Sequence, residues 1–363
     1  MTRSVRRLAR RSVQAAKRKM VMRLGFVSDQ KFYLDSGMTQ PRADVERIQM
    51  YSDAVDVEFI LPVDGTKTRN VYRPRYVYGL SDATVDPLSG LVYDANGQFI
   101  AESSSWLALR QFYSWPQPEI KSPARRLQGE FIFLPGNGYY HWLIEDLPVF
   151  LNSLLLVPQA RVLMPTDAAS YVREAAELSG KEIVLIDAPV RVERLVMTAK
   201  TGGLGSPLAG LTPHPADVAT LRSFFAKYLT QRPCNRRLYL SRTNQTRSPA
   251  NESSLQLAME KQGFEIFDGT KMSLSVQIAL FSSASHLIGI HGASLSNIVW
   301  APDRVRVCEL FSSDYMPSCY SALTSMRSGH YTPVLYTPDA ANGIDEATMT
   351  QLTRMAEEIG EIP

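Results

Sequence analysis

From residue 130 onward the chain repeats one rhythm: a short apolar run, a turn, then an amphipathic stretch of helical length. Parallel strands need a long crossover between them, and a helix is the usual one. The repetition therefore predicts an α/β fold with parallel sheets covered on both faces. In the first run, Phe131 to Leu134 reads as a strand, Pro135-Gly-Asn-Gly138 as a turn, and Tyr139 to about Leu155 as a helix that tolerates Pro148. Arg161 to Met164 and Ile183 to Ile186 are further strands, flanking a helix over Ala168 to Leu178. The Gly-rich segment Thr201 to Pro207 interrupts the rhythm and marks the boundary between two units, 26–205 and 206–340.

The second run reads as helix Pro215 to Leu229, strand Arg237 to Leu240, helix Asn251 to Lys261, strand Glu265 to Phe267 and helix Ser273 to Ala284. It continues with strand His286 to Ile290, a helix over Ala293 to Trp300 and strand Arg304 to Leu310, and the chain closes with an amphipathic helix, Glu346 to Ile359, in segment 341–363. Two doubly wound, Rossmann-like units in series are expected to direct their strand ends at a shared cleft, where such folds bind ligands. The last helix is expected to cross back onto the first unit. Residues 26–128 are the least legible part, with short β-rich pieces (Val55 to Leu61, Asn70 to Val77) between Pro, Gly and Asp.

Composition narrows the function classes. At 45% apolar and 21% charged residues, the 363-residue chain is globular in character. Its apolar runs fall short of the roughly 18 residues that a spanning helix needs. Cys234, Cys308 and Cys319 form no close-spaced pair and suggest neither a disulfide framework nor a zinc site, which fits a reducing, cytoplasmic setting. The net charge of +3 conceals an asymmetry, since residues 1–25 hold nine Lys or Arg and no Asp or Glu. The remainder is acidic, which disfavours a nucleic-acid partner. Val5, Leu8, Val13, Ala16, Met20 and Leu24 recur there at helical spacing, so the segment is either a basic amphipathic helix for an anionic membrane surface or a solvated terminus.

The stretch Ser285-His-Leu-Ile-Gly-Ile-His-Gly-Ala-Ser-Leu-Ser-Asn297 gathers the features of an anion site. A buried strand that turns tightly into a helix presents free backbone N–H groups. His291 sits at the mouth of that turn, and Gly292 and Ala293 are small enough for a ligand to approach. Arg242 and Arg247, at and beyond a strand end, suit bidentate phosphate contacts or are solvated loop arginines. Asn251-Glu252 opens a helix, so Asn251 is a donor-site residue or an N-cap. Glu309 ends a strand and accepts ribose hydroxyls or forms an ion pair. In the first unit, His141 and Glu145 are four residues apart on one helix face, suited to general-base work on a hydroxyl or to a structural contact. Asp146 points elsewhere on the helix and is expected to face solvent. The sequence has no Asp-x-Asp, no metal-spaced cluster, no P-loop and no Gly-x-Gly-x-x-Gly turn.

In two blocks the chain resembles glycosyltransferase family 61. One runs from Asn137 to Pro148; the other links Leu240-Ser-Arg242, Arg247, Asn251-Glu252, Gly263-Phe264 and Gln277 to His291-Gly-Ala-x-Leu-x-Asn297 and Glu309-Leu310. Together they cover about a third of the chain. Ser294, Val276 and Pro249 depart from the family pattern. The resemblance implies a GT-B fold, a nucleotide-sugar donor (a UDP-sugar first), inversion at the anomeric carbon, and no metal or other cofactor. It implies donor contacts from Arg242, Arg247, Asn251, Glu252, His291, Gly292, Ala293, Ser294, Asn297 and Glu309. Asn137 and Tyr140 would lie on the acceptor side, with His141 and Glu145 catalytic. The implied acceptor is a glycan or lipid-linked glycan of a surface polysaccharide. The rival expectation is a catalytically silent nucleotide-sugar-binding or scaffold protein, which would keep the same donor residues.

Overall fold

The computed structural model describes residues 45–360 except 53–54, 73–74, 98–99, 101–102, 104–122, 124, 137, 199–213, 231–233, 244, 246–247, 313–315 and 340–341. The basic segment 1–25, the boundary at 201–207, Asn137 and Arg247 lie outside the described residues.

The fold is mixed α/β, as the alternation predicts, but the two sheets differ. The second sheet is wholly parallel, with strands β10 (Arg236–Leu240), β11 (Glu265–Phe267), β12 (Ala284–Ile290), β13 (Arg306–Ser312) and β14 (His330–Tyr336) in the order β11-β10-β12-β13-β14. The chain thus runs outward in both directions from the β10/β12 neighbours, and such a switch point opens a crevice at the strands' carboxyl ends. The first sheet joins β6 (Arg125–Phe133), β7 (Arg161–Pro165), β8 (Ile183–Ile186) and β9 (Val190–Thr198) in parallel. It then turns antiparallel through β4 (Arg75–Asp86), with β1 (Val45–Ser52) and β5 (Leu91–Tyr93) beside it. The first unit is therefore not the purely parallel sheet that its helix rhythm suggests. A separate hairpin, β2 (Val55–Ile60) with β3 (Lys67–Tyr72), completes the strands.

Helix α1 begins as one turn at Tyr139–His141, widens into a π turn over Trp142–Asp146 and continues regularly through Leu147–Leu156. The wide turn explains how Pro148 is tolerated, since the hydrogen-bond ladder is already shifted where the missing N–H would fall. The remaining helices are α2 (Ser170–Leu178), α3 (Pro215–Phe224), α4 (Glu252–Lys261), α5 (Leu274–Phe281), α6 (Cys319–Met326) and α7 (Glu346–Gly360). Ala293–Trp300 is a 3-10 helix rather than the expected α-helix. Side-chain bonds from Ser296 to the Ala293 carbonyl (2.6 Å) and from Asn297 to the Ser294 carbonyl (3.1 Å) favour the tighter winding. At its far end Arg222 donates to the carbonyls of Val299, Trp300 and Ala301, and a cation there offsets the negative end of the aligned dipoles. Burial, and then the neighbouring Arg327, bring the Arg222 guanidinium down to about 10.

One hydrophobic core runs through both halves. Trp142, Leu147 and Phe150 of α1 belong to the same buried cluster as Leu238, Leu287, Leu295, Ile298 and Trp300. Hydrogen bonds reinforce the junction: Glu174 of α2 accepts from the backbone N–H groups of Leu274 and Ser275 at 2.6 and 2.9 Å. The β2–β3 hairpin also reaches the second half, setting Val57 and Phe59 against Ala322 of α6. Helix α7 does not cross back. Its Leu352 and Ala356 pack with Leu255 and Met259 of α4, so the apolar stripe is satisfied within the second half. No helix among the described residues is long and apolar enough to cross a membrane.

Candidate functional site

The ends of β10 and β12 carry two of the expected residues side by side. Arg242 follows β10 and is almost wholly buried. Its backbone N–H donates to the Glu252 carboxylate, and its Nη1 donates to the carbonyl of His291. This is not an arm reaching into solvent but a strut that holds the turn after β12. Gly292 is what admits it: a Cβ there would lie 1.9 Å from Nη1 of Arg242. The small residue makes room for the arginine, where the sequence reading gave that room to a ligand.

Other expected donor residues prove to be internal supports. Glu252 is buried and also takes hydrogen bonds from the Ser248 hydroxyl (2.6 Å) and the Tyr239 hydroxyl (3.3 Å). Asn251 does not cap α4 with its side chain. Its amide brackets the backbone of Ile344 instead, with both contacts at 2.8 Å. Asn297 is completely buried, and its Oδ1 lies 2.9 Å from the Tyr139 hydroxyl, while its amide nitrogen reaches Gln277 Oε1 at 3.3 Å. The Tyr139 hydroxyl also lies 3.1 Å from Gln277 Oε1. These three side chains tie the first turn of α1 to the 3-10 helix. Of the turn itself, His291 and Ser294 are half-buried and Ala293 is exposed, so these three form the accessible edge.

His291 is held on several sides. Its Nδ1 is 2.5 Å from Oε1 of Glu309, whose Oε2 accepts the Tyr331 hydroxyl at 2.5 Å. The ring stacks on Phe311, with centroids 5.5 Å apart, and tilts against Tyr320. Glu309 is fully buried, and its two oxygens face His291 and Tyr331; this is the ion-pair alternative of the sequence reading, though in the interior rather than at the surface. Burial raises its carboxyl above the usual range, and the His291 contacts oppose that rise.

A matching pair sits on α1. His141 Nδ1 is 3.0 Å from Oε1 of Glu145, while Glu145 Oε2 is buried with no hydrogen-bond partner. Buried polar atoms are nearly always satisfied, by protein or by ordered water, so this oxygen is able to accept one further hydrogen bond. Asp146 is buried too, not solvent-facing as its position on the helix suggests. The two histidine–carboxylate pairs are connected: Tyr140 packs edge-on against His141 and against Tyr320, and Tyr320 meets His291. Burial pushes the Tyr140 phenol and the Cys319 thiol well above their ordinary ranges, so both stay protonated. Among the described residues no group of three His, Cys, Asp or Glu is placed to hold a metal ion.

Sequence reading missed Tyr320 and Tyr331, because it missed the elements that carry them. In β14 the alternation from His330 to Tyr336 is a strand signal, but Pro333 interrupts it; the proline is tolerated because β14 is the sheet's edge strand. Helix α6 is short and has no charged residue to outline its buried face.

One comparison with known proteins falls on the stretch from the first turn of α1 to β13. Residues 139–308 match the family Glycosyltransferase 61. The matched stretch starts at Tyr139 and so takes in both histidines and their link through Tyr139 and Asn297. A 96-residue segment is also 29% identical to the EGF domain-specific O-linked N-acetylglucosamine transferase of Drosophila melanogaster. That segment is 26% of this chain and 18% of the relative, so the chain spans under a fifth of that protein's length.

Proposed function

We propose that the chain is a glycosyltransferase that moves a sugar from a nucleoside diphosphate to an acceptor hydroxyl with inversion, its two α/β units arranged in the GT-B manner. The observation that carries this reading is the meeting of two histidine–carboxylate pairs at the junction of the halves, with His141, Glu145 and His291 inside the stretch that matches family 61 and Glu309 one residue beyond it. The donor's diphosphate lies against His291, Ala293 and Ser294 at the β10/β12 switch point, where backbone N–H groups and the imidazole offset charge on the leaving group. His141 is the more accessible member of its pair, at 16% exposure against 9% for Glu145, and takes the acceptor proton. Glu145 orients the ring and stabilises the imidazolium that forms. In one displacement the acceptor oxygen bonds to the anomeric carbon as the bond to the diphosphate breaks.

The partners are then a nucleotide sugar and a glycan or lipid-linked glycan, in surface polysaccharide synthesis at the cytoplasmic face of a membrane. Residues 1–25 supply the contact with anionic lipid. The relative's name makes a nucleoside-diphosphate N-acetylglucosamine the first donor to try. The test is release of nucleoside diphosphate from a panel of sugar nucleotides with and without glycan acceptors. Release that depends on an acceptor is expected; an absence of stabilisation by any nucleotide, and of turnover, would refute the reading.

A further inference from the structure

The Tyr331–Glu309–His291 chain carries a consequence for how an anion is received. Glu309 is a fully buried carboxylate separated from the mouth of the turn only by the width of one imidazole ring. A diphosphate brought to that mouth meets Glu309 as a like charge at close range, in surroundings too buried to screen it. The ring Nδ1 is committed to Glu309, so it is the Nε2 edge that meets the ligand. With Nε2 unprotonated, that edge offers a lone pair to an anion, which is repulsive. With Nε2 protonated, the ring is a cation between two anions, and both contacts become charge-assisted. Imidazole is the side chain whose protonation switches near neutral pH.

We infer that this site takes up a proton together with its diphosphate ligand, and that Tyr331 is the positioning residue that keeps Glu309 ionised so that His291 receives that proton. The inference deepens the proposed donor site and rests on it. A hydrogen bond to the charged form of a carboxylate favours that form, and the 2.5 Å contact from the Tyr331 hydroxyl is of this kind. Four other titratable groups among the described residues near the pair do not compete for the proton. Burial raises the Tyr331 phenol, and it raises the Cys308 thiol to about 12, with Glu309 contributing in both cases. The Cys319 thiol and Tyr140 phenol are raised in the same sense. Arg242, behind the turn, keeps its charge across the range concerned.

The test is isothermal titration of the full chain with UDP at about pH 8, where the terminal phosphate (which titrates near 6) is already ionised. Titrations are run in buffers of different ionisation enthalpy. Observed heat should vary with buffer as for uptake of a fraction of a proton approaching one. Affinity should fall by up to about tenfold per pH unit on the alkaline side. Tyr331→Phe, with a melting curve to establish folding, should reduce the uptake; His291→Gln should remove it from any residual binding. Binding of UDP by the wild-type chain with no buffer dependence would overturn the inference while leaving the donor reading intact. If neither UDP nor any other nucleoside diphosphate binds, it is the donor reading that fails.

Discussion

Gly292→Ala separates two reasons for a small residue at the turn. The backbone there is extended, with φ of 176°, so alanine meets no conformational strain. In such a position Gly→Ala ordinarily stabilises a fold by about 0.4–1 kcal/mol, because the unfolded chain loses freedom. Here the added Cβ would sit 1.9 Å from Nη1 and 2.9 Å from Cζ of Arg242, inside the closest approach that side chains tolerate. Arg242 must swing away and lose its charge-assisted bond to the His291 carbonyl, a contact of roughly 1.5–3 kcal/mol. The clash outweighs the entropic gain, and the net effect is about 1–2 kcal/mol of destabilisation in the ligand-free protein. Urea unfolding measures it, and the Arg242→Ala background supplies the control. With the guanidinium removed, Gly292→Ala should revert to the small stabilisation expected of an open site. A wild-type background in which Gly292→Ala stabilises, or leaves stability unchanged, would refute the argument that Arg242 is what the glycine accommodates.

His141→Ala and Glu145→Gln should each lower turnover by about 10²–10⁴-fold while donor affinity is nearly unchanged, with the larger loss at His141; steady-state rates and donor dissociation constants decide this. Tyr139→Phe deletes the hydroxyl shared by Asn297 and Gln277 and should destabilise the chain by about 1–3 kcal/mol, read from denaturant midpoints. Burial, then Arg306 and Arg237, lower His286 to about 4, below the ordinary 6.5 of an imidazole. The unfolded chain therefore takes up a proton that the folded chain refuses, and stability should fall as pH drops from 6.5 towards 4. His286→Gln should flatten that part of a pH series of unfolding curves. Chelation should leave transfer intact, since the described residues offer no carboxylate cluster for a cation on the diphosphate; loss with EDTA and rescue by manganese would count against the donor site described above.

Much of the second half was legible from sequence because its signals are local. The run from His286 to Ile290, ended by Gly292, is a buried strand by composition alone, and the pairing of His141 with Glu145 follows from helical spacing. The order of strands and helices from 131 to 310 was legible for the same reason, except for β9 (Val190–Thr198), which the sequence reading did not foresee. What escaped was set by partners distant in the chain. Arg242, Asn251, Asn297 and Glu309 are the right residue types for binding a phosphate or a ribose, yet each has at least one polar group engaged by another part of the protein. Spacing shows which side chains a helix or strand presents, but not whether something already occupies them. Nothing local signalled a role for Tyr320 or Tyr331, and only the three-dimensional arrangement sets one against the His291 ring and the other against Glu309. The expected return of α7 to the first half failed on the same ground. An amphipathic stripe requires an apolar partner, and the nearest one, Leu255 and Met259 of α4, is supplied by the half of the chain to which α7 already belongs. The sequence determined which elements form; burial and the long-range satisfaction of polar groups determined which of their residues remained accessible.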